Sequence, residues 1–235
     1  MAITVAACLL LVWVGYLFRR CQALSRARLR SRIAANLHDE LGGLLMRLHL
    51  QTAALLHQRQ NDAELHQLLA TTQAASAALR DVAWGLDASA DTAHALQDRM
   101  RDYLDQLALS VPLAVTFTTE GLDEVTVLPN QLRQEVYLVF KEAITNVLRH
   151  AQQATSLVVR LHRRRSFLVL EVLDDGAPVA PRSRQGMGLR SMASRAKAVR
   201  GTLTVGPRPD GPGFRVWLCS PLPTSSAPGL PGWLR

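Results

Sequence analysis

An imidazole and a carboxylate stand side by side in Leu37-His38-Asp39-Glu40-Leu41-Gly42-Gly43. A carboxylate beside a histidine can hold one ring nitrogen protonated and leave the other free as a nucleophile. Asp39 is the candidate partner of His38, with Glu40 next. A His–Asp pair on a solvated helix surface is the plain alternative, and the two glycines tilt the balance. Glycine inside a helix costs about 1 kcal/mol relative to alanine, so Gly42 and Gly43 imply that some group approaches the helix closely there. In a second segment, Glu142, Asn146 and His150 recur every four residues and share one helical face. A carboxylate and a carboxamide one turn apart suit a hydrated Mg²⁺, which takes few protein oxygens and keeps its waters. Arg149 adds a possible phosphate contact. The polar flank of an ordinary amphipathic helix has the same spacing. The third segment is Asp174-Asp175-Gly176 after an apolar run, followed by Gly186-Met187-Gly188-Leu189. A carboxylate at a strand end can accept from an exocyclic amine such as that of adenine, and Gly176 lets a ligand approach the backbone. Gly186 and Gly188 suit a loop whose amides meet phosphate at a helix start, although a lone Gly-x-Gly is more often a turn.

The surrounding pattern says what must hold these groups. From about residue 22 to 56 the spacing is helical, with Ile33, Leu37, Leu41, Leu44 and Leu48 on a narrow stripe. His38 falls one step round from that stripe and is expected to face solvent. After a polar stretch, Asn61 with Glu64 reads as a capping box, and Leu65, Leu68, Thr72, Ala75, Leu79, Val82 and Leu86 continue a second stripe. Two long helices with one stripe each bury both best by pairing with a second copy, which predicts a homodimeric four-helix bundle. Beyond a linker at 87–93 the pattern changes. Helices are expected over 94–109, 129–151 and 189–199, and strands over 113–118, 156–161, 167–173, 202–205 and 214–219. Helices on one face of a sheet make a two-layer α/β domain. The tail 223–235 reads as disordered.

The chain has 235 residues and a formal net charge of +8. That excess first suggests a nucleic-acid binder, although aromatics at 5% argue against a base-stacking platform. The charge is local. Arg19, Arg20, Arg26, Arg28, Arg30 and Arg32 fall in one stretch, and without those six the 27 basic residues drop to 21 against 19 acidic ones. The stretch follows the charge-free run from Ala2 to Phe18, which is within the roughly 17–25 residues of a spanning helix. The expectation is a transmembrane anchor over 1–18 with its arginine side in the cytoplasm. A cleavable signal peptide fits less well, because the charge follows the apolar run and no small-x-small site ends it. Cys8, Cys21 and Cys219 are too few and too scattered for a disulfide framework or a zinc site.

Taken in order, these segments resemble the sensor histidine kinases, in the subgroup similar to nitrate-type sensors. RSRIAANLHDELGG at 30–43 looks like the phosphoacceptor box, KEAITNVLRHA at 141–151 like the N box, and LDDG at 173–176 and GMGL at 186–189 like the G1 and G2 boxes. The resemblance implies an α+β chain: a dimerisation and phosphotransfer hairpin over 19–88, then a GHKL (Bergerat-type) ATP-binding domain over 94–222. It implies ATP and Mg²⁺ as cofactors. His38 would be the phosphoacceptor and Asp39 its polarising base. Asn146 would coordinate Mg²⁺ with support from Glu142, and Asp174 would read the adenine amine. Arg149, His150, Gly176, Gly186 and Gly188 would complete the nucleotide site. It further implies a response-regulator partner, commonly with a LuxR-type DNA-binding domain, and no direct contact of this chain with nucleic acid. Two positions depart from the pattern. Pro178 stands where the G1 box usually has a second glycine, and Gly43 where the subgroup often has a glutamine linked to dephosphorylating the partner. The first leaves a catalytically degenerate nucleotide-binding adaptor as the alternative. A basic module for nucleic acid or anionic lipid is a more distant one.

Overall fold

The structure is a computed structural model that describes residues 2–58, 62–123, 126–151, 153–177 and 187–223. The side chains of His38, Arg26 and several residues of 2–12 are also outside the described set. The chain divides into two compact units, Met1–Ala90 and Asp91–Arg235. The tail expected to be disordered falls on residues 224–235, outside the described residues, as do Pro178 and Gly186.

The first unit is a helical hairpin. Helix α1 (Ala2–Asn36) leads into a π-turn (Leu37–Leu41), then α2 (Gly42–Gln58) and α3 (Ala63–Leu86). The π-turn is closed by the Gly42 N–H, which donates to the carbonyl of Leu37 five residues back. A wide turn takes one residue more than an α-turn. It thereby absorbs the two successive four-residue steps, Ile33 to Leu37 to Leu41, that drift on an ideal α-helix. Helix α3 is capped by Asp62, whose Oδ1 accepts from the N–H groups of Glu64 at 3.1 Å and Leu65 at 3.2 Å. This corrects the expected cap: Asn61 lies outside the described residues, and the capping side chain is its neighbour.

The stripe is largely uncovered in the single chain. Ile33, Leu41, Leu44 and Leu48 are exposed, Leu44 by 53%, and so are Leu68 and Val82. Among the described residues no helix is long and apolar enough to cross a membrane. The anchor expected over 1–18 is not an element of its own, because α1 runs without a cap or break through Arg19 and Arg20 to Asn36.

The second unit is the expected two-layer domain. Its elements are α4 (Ala93–Ser110), β1 (Ala114–Glu120), α5 (Asn130–His150), β2 (Ser156–Arg164), β3 (Phe167–Asp174), α6 (Met187–Ala198), β4 (Thr202–Pro207) and β5 (Phe214–Pro221). The five strands run in the order β1-β2-β3-β5-β4. β1 and β2 are parallel and the other pairs antiparallel, so the sheet is mixed. A parallel pair needs a long crossover, and α5 supplies it. One face of the sheet is apolar and covered by the helices. Leu157, Val159 and Leu161 of β2 and Leu168, Leu170 and Val172 of β3 are buried, as are Val136, Phe140 and Ile144 of α5 and Leu96 and Met100 of α4. Phe140 is fully buried and meets Tyr103 edge-on, with ring centroids 5.5 Å apart; burial of such a ring stabilises by about 1.5–3 kcal/mol.

One core residue runs against its type. Arg133, in the first turn of α5, is fully buried, and its Nη2 lies 3.3 Å from Asp91 Oδ1. Asp91 also accepts the Leu128 N–H through its carbonyl at 3.0 Å, so the entry to α4 and the entry to α5 are tied together.

Candidate nucleotide site

The candidate site of the second unit is built on the C-terminal half of α5. Glu142 and Asn146 lie one turn apart and half-buried on that helix. Gly188, in the first turn of α6, packs directly on them. A Cβ at residue 188 would clash with Glu142 Oε1 and lie 3.6 Å from Asn146 Oδ1. Only a residue without a side chain lets the start of α6 come this close. Gly176, just past β3, meets Ala151, the residue that follows the same helix, where a Cβ would stand 2.8 Å from the Cβ of Ala151. Arg149 and His150 sit on the exposed end of α5.

Asp174 is buried at the end of β3, with 4% of its surface exposed. Its Oδ1 accepts from the Gly176 N–H at 2.9 Å, and the Phe214 N–H is a second donor. Burial pushes its carboxyl up, the Gly176 and Phe214 N–H groups oppose that shift, Asp175 adds to it and Arg208 works against it. A dry carboxylate held by backbone donors is a fixed acceptor, suited to an amine delivered by a ligand. The β4–β5 turn closes over the same strand end. Gly213 has φ 106°, and a Cβ there would collide with the Asp174 carbonyl oxygen. Arg208 Nη1 donates to that carbonyl at 3.4 Å.

Asp175 does different work. Its Oδ2 accepts from the Thr155 hydroxyl at 2.6 Å, and its Oδ1 from the N–H groups of Thr155 at 2.8 Å and Ser156 at 2.9 Å. Burial pushes this carboxyl up, but the Thr155 hydroxyl and the two N–H groups outweigh it and hold it well below the usual carboxylate range. Asp175 thus pins the end of β3 to the start of β2. Asp175 is marked in the sequence only as the second aspartate before Gly176. Thr155, Phe214, Gly213 and Arg208 carry no such mark and meet the site only through the fold.

Among the described residues no group of three or more His, Cys, Asp or Glu could hold a metal ion. A carboxylate and a carboxamide oxygen that converge on one glycine still fit Mg²⁺, which prefers one or two protein oxygens together with phosphate and water. In the first unit, Asp39, Gly42 and Gly43 line a groove of about 500 Å³ with Met46, His49, Gln73, Ser76, Leu79 and Arg80. Among the described residues nothing lies within 4 Å of a Cβ placed on Gly42 or Gly43.

Residues 131–224 match the family described as histidine kinase-, DNA gyrase B-, and HSP90-like ATPase. The chain is 28% identical over 203 residues to the sensor histidine kinase YxjM of Bacillus subtilis, covering 84% of this chain and 48% of that one. It is 25% identical over 198 residues to the sensor protein VraS of Staphylococcus saprophyticus, covering 82% and 55%. The chain therefore spans about half the length of the curated relatives it matches. Among solved structures, the blue-light activated histidine kinase EL346 of Erythrobacter litoralis aligns with a TM-score of 0.50 at 21% identity, covering 78% of this chain and 60% of that one. Full-length ShkA in complex with AMPPNP aligns with a TM-score of 0.50 at 16% identity, covering 84% and 47%. The second unit thus has the fold of the ATPase domain of these kinases.

Proposed function

We propose that this chain is the kinase part of a two-component sensor of the nitrate-type subgroup: it binds ATP in its second unit, phosphorylates His38, and passes the phosphoryl group to an aspartate of a response regulator, commonly one with a LuxR-type DNA-binding domain. The observation that carries this reading is the meeting of Glu142, Asn146 and Gly188 beside a strand end that presents the buried Asp174. Asp174 accepts from the adenine amine. Glu142 and Asn146 would hold Mg²⁺, with Arg149 and His150 at the phosphate side. Gly176, Gly188 and Gly186, the last outside the described residues, leave room for the nucleotide backbone. Mg²⁺, when bound, neutralises phosphate charge as the transfer proceeds. One imidazole nitrogen of His38 attacks the γ-phosphorus, the bond to the β–γ bridging oxygen breaks, and ADP leaves. Asp39 keeps the other nitrogen protonated.

Homodimerisation through the hairpin is part of this reading, supported by the uncovered stripe of Ile33, Leu41, Leu44 and Leu48. Membrane attachment through residues 2–18 rests on their charge-free sequence and on the arginines that follow.

The test is incubation of the 235-residue chain with radiolabelled ATP and Mg²⁺. The expected product is an acid-labile, alkali-stable phosphate that is absent from His38→Gln. Labelling that survives His38→Gln sinks the assignment of that residue. Tight nucleotide binding with no phosphohistidine in the unaltered chain favours the degenerate adaptor instead.

A further inference from the structure

Helices α5 and α6 meet at two levels, two turns apart. At one level Glu142 lies against Gly188. At the other, Arg195 Nη1 donates to Glu135 Oε2 at 2.8 Å. The intervals match, since Glu135 precedes Glu142 by seven residues and Arg195 follows Gly188 by seven. One turn further on, Gln131 Nε2 donates to the carbonyl of Ala198 at 3.3 Å. The two helices are therefore antiparallel neighbours along one face of each.

Apolar packing fixes little of this arrangement. Only Met192 and Ala196 of α6 are buried. Such contacts hold a helix down but resist sliding along its axis weakly, because dispersion is not directional. The charge-assisted bond is directional. Its two side chains are 32% and 21% exposed, so it is less screened than an open surface pair. Sliding α6 by one residue moves it about 1.5 Å, enough to carry Gly188 off the Glu142 carboxylate.

We propose that Glu135 and Arg195 are positioning residues for the nucleotide site. By fixing the register of α6 on α5, they hold the first turn of α6, with Gly188, against Glu142 and Asn146. The inference rests on reading the second unit as a nucleotide site, but the register itself can be read without nucleotide.

The experiment uses the 235-residue chain, unaltered and as Arg195→Ala, Arg195→Lys and the exchange Glu135→Arg with Arg195→Glu. Two quantities are measured: affinity for a fluorescent ATP analogue with Mg²⁺, and hydrogen exchange of the amides of residues 191–194. These amides bond to the carbonyls of the first turn of α6. Arg195→Ala is expected to weaken nucleotide affinity about tenfold and to speed exchange at 191–194 by a similar factor, with exchange in β2, β3 and β5 unchanged. The charge exchange should restore both. Arg195→Lys, which keeps the charge and loses the fork, should fall between, and it decides the matter if Arg195→Ala does not fold. Unaltered affinity and exchange in Arg195→Ala, equal loosening of the whole unit, or no recovery in the exchanged pair overturns the proposal. If the unaltered chain binds no nucleotide, the functional reading fails, and exchange at 191–194 still decides whether the pair sets the register.

Discussion

The carboxylate of Glu142 stands within clashing distance of the point where a side chain on Gly188 would begin. Two helices far apart in sequence are thereby in direct contact at this point. The obstruction is the far end of a flexible side chain, so Gly188→Ala should cost roughly 1 kcal/mol of stability while Glu142 takes another rotamer. The oxygen pair it forms with Asn146 is then lost. Nucleotide affinity in the presence of Mg²⁺ is expected to fall by about tenfold or more. Gly206→Ala, at a position with nothing within 4 Å of an added Cβ, is the control and should bind normally.

Asp174 should show function and stability pulling apart. Burial raises its carboxyl, so ionisation of this group opposes folding. The stability it lends is complete below the unfolded value of about 3.9 and is lost as pH rises through its higher folded value. Asp174→Asn keeps an acceptor for the Gly176 and Phe214 N–H groups and removes the charge. Thermal unfolding at pH 7 should show an equal or higher midpoint, while binding of an adenine nucleotide is lost. A lower midpoint with binding retained would contradict the role given to this carboxylate.

Asp175 carries the opposite sign. Its carboxyl is held below the usual range by Thr155 and Ser156, so its contribution is fully present above about pH 4 and drains away as pH falls through its folded value. Unfolding midpoints measured from pH 6 down to pH 3 should fall more steeply for the unaltered chain than for Asp175→Asn. Thr155→Val, which removes the 2.6 Å hydroxyl bond and leaves both N–H donors, should lie between them.

The exposed stripe of the first unit predicts its association. Leu44→Arg with Leu48→Arg places two charges on it without touching the second unit. Sedimentation should show a dimer for the unaltered chain and a monomer for the double variant. Dimers in both would require a different interface.

Much of the second unit was legible because its signals are periodic. The apolar face of α5 repeats at helical spacing and β2 alternates along its length, so both appeared within a few residues of their observed ends. Glu142, Asn146, Asp174, Gly176 and Gly188 could be singled out as candidates by residue type and spacing, and the fold brings Gly188 against Glu142 and Asn146. What escaped was long-range or conformational. Arg133 reads as a solvated residue of a first turn, and only the fold shows that it is buried beside Asp91. The cap falls on Asp62 because capping depends on backbone angles that composition does not fix. The collision of a Cβ at Gly213 with the Asp174 carbonyl joins two segments by tertiary packing, which no local pattern records.

The wide turn at Leu37–Leu41 has a practical corollary for anyone grafting a new input segment onto this chain. Each residue of an α-helix advances the face by about 100°, and a turn that holds one residue more resets the count by that angle. A splice designed upstream of Leu37 and one designed downstream therefore obey different reading frames for the same stripe. A fusion counted straight through the turn as ordinary helix would present the wrong side of the helix to its partner, although every residue in it was chosen correctly.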